Sequence, residues 1–265
     1  MPNFVLPHTL RPMLAASLML AGVADAAVAG PYEDATTAYQ RGDYVSSYRL
    51  LLPLAEKGDA SAQTSVGTMY AEGKGVPQDY AEALKWFRKA ADLGDALAQH
   101  NLGWAYDSGT GVPQNYAEAA KWYRLAANQG DATSQTNLGV LYAKGKGVPQ
   151  DYAEAVNLYR LAADQGVAQA QSNLGLMYFQ GRGVPQDYVI AHMWLNLSAA
   201  QGNDDGIKYR NIVAERMTPP DCRGAEVSPR VEAEAGTIKT RTVLLLPKHS
   251  PLMLLAHFVG DARPR

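Results

Sequence analysis

A motif that returns every 36 residues constrains this chain more than any other feature. The segment from Gly75 to Tyr80, Gly-Val-Pro-Gln-Asp-Tyr, recurs from Gly111, Gly147 and Gly183 without insertion or deletion between copies. The spacing defines four units, which are residues 62–97, 98–133, 134–169 and 170–205. A unit of this length is one supersecondary element, and it buries its apolar faces only against neighbouring copies. The spacing therefore predicts a repeat protein.

The first half of each unit predicts a helix, described here for the second unit. Asp95 supplies a carboxylate that can cap free amide groups, and Ala98, Leu102 and Tyr106 follow at helical spacing on one face. Gly103 lies inside this helix, where glycine costs about 1 kcal/mol relative to alanine. Because glycine recurs at this position in every unit, we expect a side chain there to clash with a closely crossing helix.

The second half of each unit predicts another helix after a turn. The turn Gly109–Pro113 ends the first helix, since glycine permits positive φ and proline cannot continue a helix. Asn115 and Glu118 then have the spacing of a capping box, and Gly130 is placed to end the second helix in the left-handed conformation. The predicted fold class is all-α, an α/α superhelical solenoid of 36-residue helix-turn-helix repeats.

The segments on either side of the repeats depart from the pattern. Residues 38–60 echo only the second half of the motif, so residues 30–61 are predicted to form an N-terminal half repeat. Residues 206–220 are predicted to form a C-terminal capping helix that covers the open face of the last repeat.

The first 29 residues predict a cleavable signal peptide. Arg11 precedes the apolar stretch 13–23, and Ala27-Val28-Ala29 fits the small-x-small rule for cleavage. The apolar stretch is about half of the ~20 residues that a membrane-spanning helix needs, so a membrane anchor is the weaker alternative. Cleavage after Ala29 predicts a periplasmic or secreted protein with no integral membrane segment in the mature chain.

Residues 221–265 form an irregular tail that lacks the repeat and any consistent helical period. With synonymous codons, residues 221–233 can be read one base out of frame as an amphipathic helix. Our hypothesis is that the tail is a frameshifted reading, and an ordinary disordered extension is the alternative. Independent resequencing of the gene distinguishes the two, because an intact frame in separate clones contradicts the shift.

The repeated pattern resembles the Sel-1-like repeat (SLR) family, which is related to the tetratricopeptide repeat. The residues that carry the resemblance in the second unit are Ala98, Leu102, Gly103, Tyr106, Gly109, Gly111, Val112, Asn115, Tyr116, Ala119, Trp122, Tyr123, Ala126, Ala127 and Gly130. The resemblance covers residues 38–205. It implies an α/α solenoid that acts as an adaptor or scaffold and binds other proteins.

Composition argues against several other classes of function. The chain has 24 Lys+Arg against 26 Asp+Glu, so it lacks the basic footprint of a nucleic-acid-binding protein. Cys222 is the one cysteine, which excludes a disulfide framework and a thiolate-rich metal site. His100 and His192 do not form a metal-ligating pair by spacing. We therefore predict no catalytic, cofactor or metal site.

An enzymatic alternative comes from the resemblance alone. Some cysteine-rich relatives of the family are linked to penicillin binding or β-lactam hydrolysis, so a cell-wall-associated enzyme of that type is the alternative function. The sequence contains neither a Ser-x-x-Lys nor a Gly-x-Ser-x-Gly motif. Hydrolysis of nitrocefin above the buffer rate would support the enzyme.

Partner-binding residues are predicted at positions of the first helix where the residue type differs between repeats, because packing does not require one particular residue there. The predicted residues are His100, Trp104, Asp107, Val140, Lys144, Leu176 and Phe179. The resemblance implies that first helices line a concave surface, so the four apolar residues would face a groove and the three polar ones would form its rim. The expected partner is a protein or peptide. The alternative is that Trp104 and Phe179 pack against adjacent repeats.

Overall fold

The computed structural model describes residues 30–217 of the 265-residue chain, and these residues form eleven helices and no strand. The helices are α1 (Pro31–Gln40), α2 (Tyr44–Glu56), α3 (Ala60–Glu72), α4 (Tyr80–Asp92), α5 (Ala96–Ser108), α6 (Tyr116–Asn128), α7 (Ala132–Lys144), α8 (Tyr152–Asp164), α9 (Ala168–Gln180), α10 (Tyr188–Ala200) and α11 (Asp204–Arg216). Consecutive helices pack as pairs, and the predicted all-α repeat fold is confirmed. The predicted signal peptide and the irregular tail lie outside the described residues.

The chain divides into two compact units between Ala126 and Ala127. In the described part of the first unit, residues 30–126, one apolar cluster is built around Val66 and Met69, and another around Phe87 and Leu102. These side chains are buried because the first and second helices of each repeat turn their apolar faces toward each other and toward the preceding pair.

The second unit, described for residues 127–217, has one apolar core. Trp194 and Leu174 are fully buried at its centre, and Val213 of α11 is buried in the same cluster. Helix α11 packs against α9 and α10. It occupies Asp204–Arg216, where the sequence predicts a capping helix over 206–220, and residues 218–220 lie outside the described range.

A complete helix pair lies where the sequence predicts half a repeat. Helices α1 and α2 pack on each other within residues 30–61, and Ala35 is buried in the same cluster as Leu51. Lys74 donates a hydrogen bond to the hydroxyl of Tyr39 (3.0 Å) and so joins α1 to the turn after α3. Helix α1 lacks the glycines of the repeat, which is why the period does not reveal it.

The predicted capping box at the second helix forms only in part. Asn115 Oδ1 accepts a hydrogen bond from the amide of Glu118 (3.1 Å), but the Glu118 carboxylate pairs with Lys121 instead of returning to the cap. The amide of Asn115 donates to the carbonyl of Tyr106 (2.8 Å). The prediction of a reciprocal box is wrong because the turn brings the cap residue back beside the preceding helix, whose carbonyl is then the nearer acceptor.

A glycine marks the crossing of the two helices in each repeat. A Cβ atom at Gly103 would lie 2.5 Å from Cδ1 of Tyr123, and one at Gly175 would lie 2.7 Å from Cγ of Leu195. Both distances are shorter than side chains tolerate, so the expected clash is confirmed. The helices approach this closely because glycine presents no side chain at the crossing point.

A buried glutamine ties the first helix of each repeat to the helix before it. Gln99 Nε2 donates to the carbonyl of Ala91 (3.2 Å), and Gln171 Nε2 donates to that of Ala163 (3.2 Å). Carbonyl groups at the end of a helix have no partner within that helix. The Ala91 carbonyl accepts a hydrogen bond from the turn amide of Gly94 (3.0 Å), and the glutamine is its second donor. This tie between two helices explains why a polar residue recurs at a buried position.

We expect Gly103→Ala to lower the free energy of unfolding by about 1–3 kcal/mol, because the added methyl group collides with Tyr123. Helix propensity alone predicts the opposite sign, a gain of about 1 kcal/mol. Urea denaturation of the purified protein measures the change. In a Tyr123→Leu background the cost of Gly103→Ala should shrink, and an equal cost in both backgrounds would contradict the crossing.

Candidate interaction surface

The seven residues predicted to bind a partner are distributed over both units. The first unit holds three of them on α5 and the second unit holds four on α7 and α9. The residues on α5 are His100, Trp104 and Asp107, and those on α7 and α9 are Val140, Lys144, Leu176 and Phe179.

The prediction that His100 lies on a polar rim is wrong. Its side chain is buried, with 3% of its surface exposed, and its ring centroid lies 5.7 Å from that of Tyr123. His100 and Gly103 are three residues apart and share a face of α5. That face meets α6, so the position is inside the helix crossing. The equivalent residues of the other repeats, Thr64, Thr136 and Ser172, are buried as well.

Trp104 and Asp107 are both half-buried on α5. Asp107 accepts a hydrogen bond from the hydroxyl of Tyr123 (3.4 Å), so part of its carboxylate is engaged within the repeat. Trp104 is not among the apolar side chains that form or pack against the core cluster around Phe87. Trp104 is thus half-buried without belonging to the core cluster around Phe87.

In the second unit, Leu176 and Lys144 are the residues that packing leaves most accessible. Leu176 is half-buried but does not belong to the apolar side chains packed against the core of this unit, whereas Val140 does. Lys144 ends α7 and is exposed. Asn173, half-buried one turn before Leu176, accepts a hydrogen bond from Gln169 (3.1 Å). This face therefore combines an apolar side chain, an amide and a cation.

Phe179 packs within the second unit. Its ring centroid lies 5.8 Å from that of Tyr188, and the guanidinium of Arg216 lies 5.3 Å from the centre of the ring. Phe179 also packs against the apolar core of this unit. Phe179 therefore packs against the second helix of its own repeat and against α11, whereas the alternative interpretation had placed it against adjacent repeats.

A groove on the first unit was not predicted from the sequence. It lies between α4, α5 and the turn after α5, has a cavity volume of about 480 Å³, and we call it the α4–α5 groove. Its lining includes Leu84, Leu102, Val112, Lys85, Arg88 and Tyr106. Variable positions on the first helices do not reveal this groove, because four of its lining residues lie on a second helix. Position 85 on the second helix also varies among repeats, with Lys85, Lys121, Asn157 and Met193, and this signal was available.

Between residues 30 and 217, no three His, Cys, Asp or Glu side chains come together in a way that could hold a metal ion. Burial and the charge of Arg210 lower the pKa of His192 on α10. The hydrogen bond to Glu82 raises the pKa of Lys85, which lies at the edge of the α4–α5 groove.

Comparison with known proteins identifies the repeat. The family model of the Sel1 repeat matches residues 60–95, 96–131, 132–167 and 168–203, which is more than half of the chain. The matches begin two residues before the units defined from the sequence, in agreement with the first residues of α3, α5, α7 and α9. The comparison with curated proteins gave no match.

Solved structures that are similar to this chain at more than 30% identity include two repeat proteins. One is a protective antigen present in uropathogenic Escherichia coli strains and displaying an SLR fold, with 35% identity and a TM-score of 0.60 over 75% of this chain and 47% of that one. The other is a Sel1 repeat protein from Oxalobacter formigenes, with 34% identity and a TM-score of 0.59 over 64% of this chain and 49% of that one. The chain thus spans about half the length of either protein.

Replacing Phe179 by alanine should lower the free energy of unfolding by about 2 kcal/mol, because its ring packs against Tyr188 and the core. Leu176→Ala should cost clearly less, since Leu176 lies outside that packing. Thermal and urea unfolding of the two variants give the comparison. An equal or larger cost for Leu176 would show that this leucine is a core residue and not a surface one.

Proposed function

Because the chain belongs to the Sel1 repeat family, we propose that it is an exported interaction scaffold that binds a protein or peptide on the exposed face of its first helices. Sel1 repeat proteins are generally non-catalytic scaffolds for protein interaction. One observation carries the choice of surface: Leu176 is half-buried and lies outside the core packing, at a position that differs in every repeat.

The packing of the repeats suits a preformed binding surface. Glycine crossings and buried glutamines hold each first helix in a fixed position relative to its neighbours. A rigid surface loses little conformational entropy when a partner binds, so more of the contact energy is available for affinity. Framework residues recur because packing requires them, which leaves the exposed positions free to differ.

The chemistry of the surface suits a polypeptide partner. Leu176 offers apolar area, Asn173 offers an amide that can bond to backbone groups, and Lys144 offers a cation at the edge. Buried apolar anchors surrounded by polar groups are the usual source of affinity in protein interfaces. In the first unit Trp104 occupies the position equivalent to Leu176 and would serve as an aromatic anchor.

Site-specific photocrosslinking tests the proposed surface. We expect p-benzoylphenylalanine in place of Leu176 to give a discrete adduct of higher mass in the natural host, because the partner contacts this residue. Mass spectrometry of the adduct identifies the partner. The matched control is the same replacement of Leu161, which is 53% exposed on the second helix α8.

The pattern of adducts decides the outcome. An adduct at position 176 that is absent at 161, and that Lys144→Glu weakens, supports a binding face on the first helices. Adducts of equal yield at both positions would indicate non-specific collision. An adduct at position 161 alone would place the partner on the second helices and overturn the proposed surface.

Export is the second part of the proposal. Helix α1 begins at Pro31 with Gly30 as its N-cap, so cleavage after Ala29 would leave every described helix intact. None of the helices between residues 30 and 217 is long and apolar enough to cross a membrane.

We expect the protein expressed from its full gene in a Gram-negative host to appear in the periplasmic fraction with Gly30 as its first residue. Mass spectrometry of the intact protein measures the terminus, and a cytoplasmic enzyme in the same preparation controls for lysis. Protein that keeps residues 1–29 and stays in the cytoplasmic fraction would contradict export.

A further inference from the structure

The α4–α5 groove has an apolar floor and a basic edge. Leu84 of α4, Leu102 of α5 and Val112 of the following turn provide aliphatic side chains, and Lys85 and Arg88 lie beside them. The volume of about 480 Å³ falls within the range of about 300–1,000 Å³ that is common for ligand sites. The groove shares helix α5 with the first-helix surface, but its lining contains none of the residues predicted to bind a partner there, so its role does not depend on that proposal.

Arg88 is held in place by two aromatic residues. Its Nη2 donates a hydrogen bond to the hydroxyl of Tyr106 (2.9 Å), and its guanidinium carbon lies 4.7 Å from the centre of the Trp122 ring. Stacking leaves the edge of a guanidinium available for hydrogen bonds. Within residues 30–217, Tyr106 is the one acceptor for the Arg88 side chain. The remaining N–H groups are therefore positioned to bind an anion.

Lys85 adds a second cation on the same side of α4. It is three residues from Arg88, so the two side chains are neighbours on the helix surface. Lys85 pairs with Glu82 at 2.7 Å, and 68% of its side chain is exposed. Such exposed pairs contribute little free energy, because water screens them. The ammonium group can therefore leave Glu82 and pair with a carboxylate of a ligand, with little loss of free energy.

We infer that the α4–α5 groove binds a segment of a partner polypeptide in which an aliphatic side chain is flanked by acidic residues. The aliphatic side chain enters between Leu84, Leu102 and Val112, and the flanking carboxylates pair with Arg88 and Lys85. Arginine favours carboxylates because its planar donors match the two carboxylate oxygens. The charge of the edge excludes a basic segment and selects against a neutral one.

The second unit provides a matched comparison for Arg88. Arg160 of α8 donates to the hydroxyl of Tyr178 through Nη2, as Arg88 does to Tyr106. The residue equivalent to Lys85 is Asn157. The surface around Arg160 therefore has one cation of this pair, whereas the groove has both Lys85 and Arg88. Removing Arg160 deletes the same arginine–tyrosine contact without touching the groove.

The experiment is a titration of the full chain with capped peptides, observed by methyl NMR. The probe is the acetylated, amidated pentapeptide Glu-Glu-Leu-Glu-Gly, and the comparison peptides are Gln-Gln-Leu-Gln-Gly and Glu-Glu-Gly-Glu-Gly. We expect the acidic leucine peptide to shift the methyl signals of Leu84, Leu102 and Val112, and its affinity to fall as salt is raised. Each comparison peptide should bind at least about tenfold more weakly, since each lacks one of the two interactions.

Variants locate the interaction. Arg88→Ala should weaken binding of the probe about tenfold and Lys85→Gln roughly threefold, whereas Arg160→Ala should leave the affinity unchanged. Lys85 is largely exposed, so its variant folds even if loss of the Arg88 stack lowers stability. Equal affinity for the glutamine peptide, unchanged affinity in both the Arg88 and Lys85 variants, or methyl shifts confined to the second unit would each overturn the inference.

Discussion

The close crossing of two helices at a glycine is the contact on which each repeat depends. At Gly103 the backbone of α5 lies directly against the ring of Tyr123, and at Gly175 the backbone of α9 lies against Leu195. Large side chains on the second helix are buried only because the first helix presents no Cβ atom there. The cost of glycine in a helix, about 1 kcal/mol, is offset by this apolar contact. The contact also explains why the neighbouring His100 is buried.

Hydrogen bonds between side chains and helix ends connect one helix pair to the next. The buried Gln171 donates a hydrogen bond to a carbonyl of the preceding helix and also accepts one from Gln201 (2.8 Å). Glycine in the turn has a related role, since a Cβ atom at Gly183 would lie 2.3 Å from the carbonyl oxygen of Tyr152. Neighbouring repeats are therefore held by polar contacts with defined geometry as well as by apolar packing. A surface built on such helices keeps its shape without a partner.

This construction separates residues that maintain the fold from residues that are available for binding. Core packing takes up Phe179 and His100, although both vary among repeats. Leu176 remains outside that packing, and Arg88 is positioned by aromatic neighbours at the edge of an apolar groove. The two proposed sites thus use different residues: the first lies on first helices alone, whereas the second lies between a second helix and the first helix that follows it.

The sequence by itself determined the repeat, the helical class and the reason for its glycines, because these follow from local rules that act in every copy. A 36-residue period, the Asp95 cap and a glycine inside a helix each have one simple physical interpretation. Tertiary structure alone decided which variable positions are accessible. Variation showed that packing does not demand one particular residue, but His100 is buried all the same, because its helix face meets α6. The α4–α5 groove likewise depends on three separate segments that meet in space. The spacing of residues within any one of these segments does not predict their contact.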